Sequence, residues 1–166
     1  GCEDGGHEVR RIEVARLEFP WLRTKDEFEK GTPPDSIKQA QDAIRWADHL
    51  VIFYPLWLGS MPALLKAFLE QVFRPGVAFE YRAQGKMAKK LFTGKSARIV
   101  VTMGMPALVY RWFFLAHSLK SLERNILAFC GIKPTRATLI GQVEGMNERQ
   151  RASWLDEMRG LGDVGK

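Results

Sequence analysis

Two short stretches carry the residue types that could do chemistry. One is Pro55-Leu56-Trp57-Leu58-Gly59-Ser60-Met61-Pro62-Ala63; the other is Thr102-Met103-Gly104-Met105-Pro106-Ala107, with Tyr110 close behind. Both combine Gly, Pro and apolar side chains with open backbone, and neither contains a carboxylate, a cysteine or a histidine. Such a stretch can grip a flat heteroaromatic ring, with apolar side chains packing its face and main-chain N–H groups bonding its edge. It suits hydrolysis or metal chemistry poorly, because those need ionisable groups at fixed spacing. The same composition fits plain tight turns, and the residues alone leave both readings open. Elsewhere, Cys2 and Cys130 make neither a disulfide framework nor a metal site.

Strands must present these stretches. Leu50-Val51-Ile52-Phe53-Tyr54 precedes the first, and Ala97 to Thr102 runs into the second. Continuous apolar runs of this kind predict strands buried on both faces of a parallel sheet. Helical spacing fills the intervals between them. Ile37, Ala40, Ile44 and Ala47 follow Asp35-Ser36, which is expected to cap the first turn. Pro62 suits the first turn of a helix with Leu64, Leu65, Phe68, Leu69 and Val72 on one face. Leu119, Leu122, Ile126 and Phe129 predict a long helix, stopped by Gly131 in the left-handed conformation. Arg136 to Ile140 reads as a short last strand. Asn147 with Gln150 forms a capping box for a helix whose apolar face holds Trp154, Leu155 and Met158.

The start reads differently. A double glycine, Gly5-Gly6, looks like a helix end feeding a strand from His7 to Ala15, with Arg10 and Arg11 suiting an edge. Pro20 to Pro34 reads as a polar connection. Strands alternate with helices and nothing repeats, which predicts a single α/β domain over residues 1–166 with a mainly parallel sheet. Ligands of such sheets bind beyond the carboxyl ends of the strands, where both candidate stretches fall.

Composition narrows the class. The 166 residues are 46% hydrophobic and 27% charged, which supports one core and excludes a disordered chain. No apolar run approaches the ~20 residues of a membrane span, and Gly1 to Arg10 lacks the hydrophobic stretch of a signal peptide. A cytoplasmic protein without membrane insertion is expected. Lysine plus arginine total 25 against 19 acidic residues, a net charge of +6. Arg82, Lys86, Lys89, Lys90, Lys95 and Arg98 lie in one segment free of acids and account for that whole excess. The segment reads as a solvated loop, or as a means of attracting an anionic small molecule or partner. Nucleic-acid binding is not expected, because only Phe92 is interleaved for stacking.

The run Ala47-Asp48-His49 through Tyr54-Pro55-Leu56-Trp57, then Gly59-Ser60-Met61-Pro62-Ala63-Leu64-Leu65-Lys66, then Val72-Phe73-Arg74-Pro75-Gly76-Val77-Ala78-Phe79, resembles the NAD(P)H:quinone oxidoreductase family. That group includes DT-diaphorase and the bacterial NAD(P)H dehydrogenases. The resemblance extends from about His7 to the C-terminal helix and implies a flavodoxin-like three-layer sandwich. It implies a flavin, FMN or FAD, with NAD(P)H as co-substrate and a quinone as acceptor. By the same resemblance, Pro55, Leu56, Trp57 and Leu58 lie along the flavin ring. Thr102, Met103, Gly104 and Met105 form the second flavin loop, more apolar here than the family's usual Thr- and Gly-rich version. Tyr110 falls on a tyrosine that stabilises the reduced flavin, and His117 falls beside the family's site histidine; a lone histidine there also fits a surface or interface position.

Phe79 and Tyr81 match aromatic residues that line the substrate pocket from a partner subunit. With Val77 they are expected to form an exposed patch that a homodimer would bury. The family's first strand, phosphate loop and following helix have no counterpart before Gly1, so the domain is expected to be truncated at its N-terminus relative to the family. Some members of the family are ancillary subunits of potassium-efflux systems. In that alternative the basic segment Arg82 to Arg98 would be the docking surface.

Overall fold

The chain runs α1 (Lys25–Lys30), α2 (Asp35–Trp46), β1 (His49–Pro55), α3 (Ala63–Val72), β2 (Phe79–Glu80), β3 (Lys89–Lys90), β4 (Ser96–Thr102), α4 (His117–Ser121), α5 (Ala128–Cys130), β5 (Thr135–Ile140) and α6 (Glu148–Asp163). The computed structural model describes residues 1–82 and 88–165, so Lys86 of the basic segment lies outside the described residues. β1, β4 and β5 form a parallel sheet in the order β1-β4-β5, while β2 and β3 pair separately and antiparallel. This is the α/β architecture with a mainly parallel sheet expected of the alternating pattern.

Register decides what each face of the sheet does. Leu50, Ile52 and Tyr54 stand level with Ala97, Ile99 and Val101, and these with Thr135, Ala137 and Leu139. Side chains alternate along a strand, so these residues share one face. That face joins the main core with Ile37 and Ile44 of α2, Phe68 and Val72 of α3, and Leu119, Leu122 and Leu127 of the long helical segment. β4 is central and buried on both faces, as expected. β1 departs from expectation. Its second face is open, with Phe53 64% exposed and Val51 also exposed. The apolar run is the same in kind; only β4 has a strand on each side, whereas β1 pairs with β4 alone among the described residues.

Other departures have equally local causes. Residues 7–13 form no strand, and Val14–Arg16 makes a single 3₁₀ turn. Alternation there only turns Ile12, Val14 and Leu17 towards the core, and the segment pairs with no strand among the described residues. The double glycine does end a turn, with Gly6 left-handed and His7 N donating to Cys2 O. α2 starts on Pro34 without a side-chain cap; Ser36 Oγ instead donates to Glu18 O. The connection from Pro20 to Pro34 contains α1, capped by Thr24 accepting from Glu27 N.

The long helix His117 to Cys130 contains a π-helical turn at Leu122–Leu127. One extra residue per turn shifts the buried stripe from Ile126 and Phe129 to Leu127 and Cys130. Gly131 stops this helix at φ 105°, as expected. The Asn147–Gln150 capping box is present, although Leu155 of the α6 apolar face is exposed. Much of the basic segment is not a solvated loop. Arg98 is buried and donates to Thr138 Oγ1 at 2.8 Å, and Lys95 Nζ donates to the carbonyls of Arg45 and Ala47. No helix among the described residues is long and apolar enough to cross a membrane.

Candidate functional site

The three parallel strands end together, and main-chain hydrogen bonds join the loops that follow them. Leu56 N donates to Thr102 O at 2.7 Å, tying the loop after β1 to the end of β4. Met103 N donates to Ile140 O at 2.9 Å, and Gln142 N donates to Met105 O at 3.1 Å, tying β4 to the loop after β5. The residues expected on the flavin ring, Pro55, Leu56, Trp57 and Leu58, are therefore brought against Thr102, Met103, Gly104 and Met105.

The first loop closes on itself. Trp57 and Ser60 exchange both main-chain bonds at 2.9 Å across Leu58 and Gly59, which are both left-handed, with φ 48° and 76°. Two left-handed central residues make the tight hairpin turn that suits Gly and strains a leucine. The turn lifts Trp57, 63% exposed, and the fully exposed Leu58 out of the protein surface. Leu56 N and Trp57 N are used in holding the loop together. Among the described residues, the N–H groups of Leu58, Gly59, Gly104 and Met105 make no hydrogen bond.

Tyr110 and His117 sit farther along the second loop. Tyr110 lies in a π-helical turn, Val109–Phe113, and is buried. Its hydroxyl lies 2.7 Å from Ser118 Oγ and accepts from Leu119 N at 3.2 Å. It thereby satisfies an amide in the first turn of α4, whose own N-cap, Ala116, offers no side-chain oxygen. His117 opens α4 and is exposed, immediately after two left-handed residues, Leu115 and Ala116. The Tyr54 hydroxyl at the end of β1 is buried without a hydrogen-bond partner, and burial raises its pKa above the ordinary phenol range.

Phe79 and Tyr81 belong to another corner. Phe79 meets Tyr81 at 5.3 Å and Phe129 at 4.9 Å, both edge to face. The expected exposed patch is corrected here: Phe79 is buried by its own chain and Val77 packs on the core, leaving only Tyr81 in the open. The antiparallel pairing of β2 with β3 folds Phe79 inward. The large exposed apolar surface lies instead at Leu108, Val109, Trp112, Phe113, Phe114 and Leu115, with Trp112 71% and Phe113 78% exposed.

A family model described as flavodoxin-like fold matches residues 1–160. The chain belongs to that family. A Haemophilus influenzae protein named an uncharacterized NAD(P)H oxidoreductase is 28% identical over 158 residues, covering 93% of this chain and 77% of the relative. The FMN-dependent NADH:quinone oxidoreductase 1 of Hahella chejuensis is 35% identical over 114 residues, covering 61% of this chain and 52% of that protein. The solved NAD(P)H:quinone oxidoreductase of Methanothermobacter marburgensis superposes with a TM-score of 0.79 at 23% identity, covering 98% of this chain and 82% of that one.

Within this flavodoxin-like chain, the third loop supplies what motif reading missed. Gly141 has no room for a side chain: a Cβ would stand 2.4 Å from Ala107 N and 2.8 Å from Met105 O. Its bareness lets the loops after β4 and β5 touch. The same loop brings the Glu144 carboxylate beside Gly104, where a Cβ would lie 3.7 Å from Oε1. The one sequence signal for both is Gly-Gln-Val-Glu-Gly directly after the last strand. A flavin ring fits this donor set, since the exposed indole shares its loop with the unbonded N–H groups of Leu58 and Gly59, and those of Gly104 and Met105 follow the strand end bonded to that loop.

Proposed function

We propose that the chain is a flavin-dependent NAD(P)H:quinone oxidoreductase domain, with FMN or FAD held by the loops beyond β1 and β4. The observation that carries this reading is the Leu56 N to Thr102 O bond, which joins the loop bearing the exposed Trp57 to the strand end that leads into Gly104 and Met105, whose amides are unbonded among the described residues. The names of the Haemophilus and Hahella relatives support it. A flavin held there would supply hydride chemistry: two electrons and one proton from NAD(P)H, passed with one further proton from solvent to a quinone to give the hydroquinone.

The protein's own residues orient that chemistry. Trp57 would pack on the ring face, and Pro55, Leu56 and Leu58 would line its approach. The N–H groups of Gly104 and Met105 would donate to the ring edge where negative charge develops, while Thr102, Met103 and Met105 would limit water there. Tyr110 is a positioning residue behind the second loop, because its hydroxyl is committed to Ser118 and Leu119 N. His117 is exposed and free to meet a flat acceptor, whereas Tyr81, exposed at another corner over Phe79, would reach one only on a neighbouring subunit. Stacking on such aromatic walls favours planar ligands.

A homodimer is part of the same proposal. The apolar run from Leu108 to Leu115 starts two residues before Tyr110 and ends two before His117, so a two-fold contact there would border the rim on both subunits. Anaerobic titration tests the function. NADH should bleach the flavin-loaded protein and a quinone should restore its colour; a protein that binds flavin without being bleached would overturn the reading.

A further inference from the structure

At the amino end of β5, far from the rim, lies an open cleft of about 890 Å³. Lys90 of β3, Arg124 of the π-helical turn and Lys133 ahead of β5 line it, with Glu123, Asn125 and Phe129. Thr135 and Ile140 mark opposite ends of β5, so the cleft and the rim stand roughly 17 Å apart at strand rise.

The cleft's charges differ from those that are paired along their own helices. Lys30, Lys38, Arg45 and Arg159 each take a carboxylate three or four residues away. Among the described residues, Lys90, Arg124 and Lys133 make no ion pair and no side-chain hydrogen bond. Glu123 is half-buried and makes no ion pair either; burial raises its pKa against the lowering influence of Arg124 and Lys120. Three cations facing one uncommitted carboxyl create a positive field that an anion would neutralise. Arginine and lysine are the usual partners of phosphate. The Phe129 ring, 40% exposed, is held edge to face by Phe79 and offers a flat apolar floor. Glu123 and the Asn125 carboxamide add acceptors and donors beside it. The volume falls within the range of small-molecule sites, roughly 300–1,000 Å³.

We propose that this cleft binds a nucleoside phosphate, its phosphate among Lys90, Arg124 and Lys133 and its base on Phe129, as a second site separate from the rim. The proposal goes beyond the oxidoreductase reading and does not depend on it, because binding here is read without any redox step.

Calorimetric titration of the purified protein with AMP tests it, beside adenosine and inorganic phosphate, with and without saturating FMN. AMP should bind saturably, at least tenfold more tightly than either fragment, and FMN should not displace it. Lys133→Glu and Arg124→Glu should each weaken AMP at least tenfold. Both side chains are exposed and unbonded, so the variants should keep the wild-type melting temperature. Phe129→Leu should weaken AMP but not inorganic phosphate, and Trp57→Ala should leave AMP affinity unchanged. Absence of saturable AMP binding would overturn the proposal. So would equal affinity for adenosine, equal affinity for inorganic phosphate, or AMP binding lost in Trp57→Ala but retained in Lys133→Glu.

Discussion

At the carboxyl ends of β1, β4 and β5 the chain spends proline, methionine, glycine and a raised tryptophan, and main-chain bonds join the loops. At the amino ends of the same strands it places His49, Lys95, Arg98, Lys133 and Arg136. There, side chains supply the bonds. His49 Nδ1 meets Ser96 Oγ at 2.7 Å, and Lys95 reaches two carbonyls at the end of α2. One end is thus shaped by backbone and suits a flat neutral ring, while the other is shaped by charge and suits an anion. The difference teaches that chemistry in this fold follows strand direction, because each end inherits a different set of loops.

The largest expected effect separates the strands rather than the ends. Ile99→Ala in the central strand should cost about 2–5 kcal/mol in chemical denaturation, since β4 is buried on both faces. Phe53→Ala on the open face of β1 should cost under about 1 kcal/mol. Equal costs would mean that the open face of β1 is covered in solution.

Next in size is Gly141→Ala at the carboxyl end. A methyl group there must displace Ala107 N and Met105 O, and overpacking of this kind costs roughly 1–3 kcal/mol. The variant should melt at a lower temperature and bind flavin more weakly; an unchanged melt would show that the two loops are not held together. Tyr110→Phe removes the acceptor for Leu119 N and should cost about 1–2 kcal/mol. A stability loss without a matching change in the rate of flavin reduction would fit a positioning residue.

The amino end should report itself through pH. Burial first, then Arg98 and Arg136, hold the His49 imidazole below its usual pKa. The unfolded chain therefore binds more protons as pH falls below about 6.5, and stability declines there. His49→Gln should flatten that decline; an identical pH profile would place the titration elsewhere. Smallest of all, His117→Gln should shift stability by less than about 0.5 kcal/mol, because the side chain is exposed.

Periodic elements were legible in the sequence because each is a local pattern. β4, α2, α3 and the Asn147 cap needed only spacing and residue type. What escaped depended on distant partners. His7 to Ala15 alternates like a strand yet pairs with none among the described residues, and the β1 run looks like the β4 run although only one is central. Both rim loops could be placed because strand ends locate ligand sites in parallel sheets. Phe79 was misjudged because the β2–β3 pairing that buries it joins residues across the basic segment. Glu144 and Gly141 meet the rim from nearly forty residues downstream of Met103, a contact that no local motif announces.

The central claim is that the backbone-shaped end holds the flavin ring, and an FMN titration followed by amide and indole NMR tests it most directly. The Trp57 indole and the Gly59, Gly104 and Met105 amides should shift saturably, while Lys133 and Thr135 at the opposite end stay fixed. Bound FMN that moves Lys133 and Thr135 and leaves Trp57, Gly104 and Met105 unmoved would contradict the account.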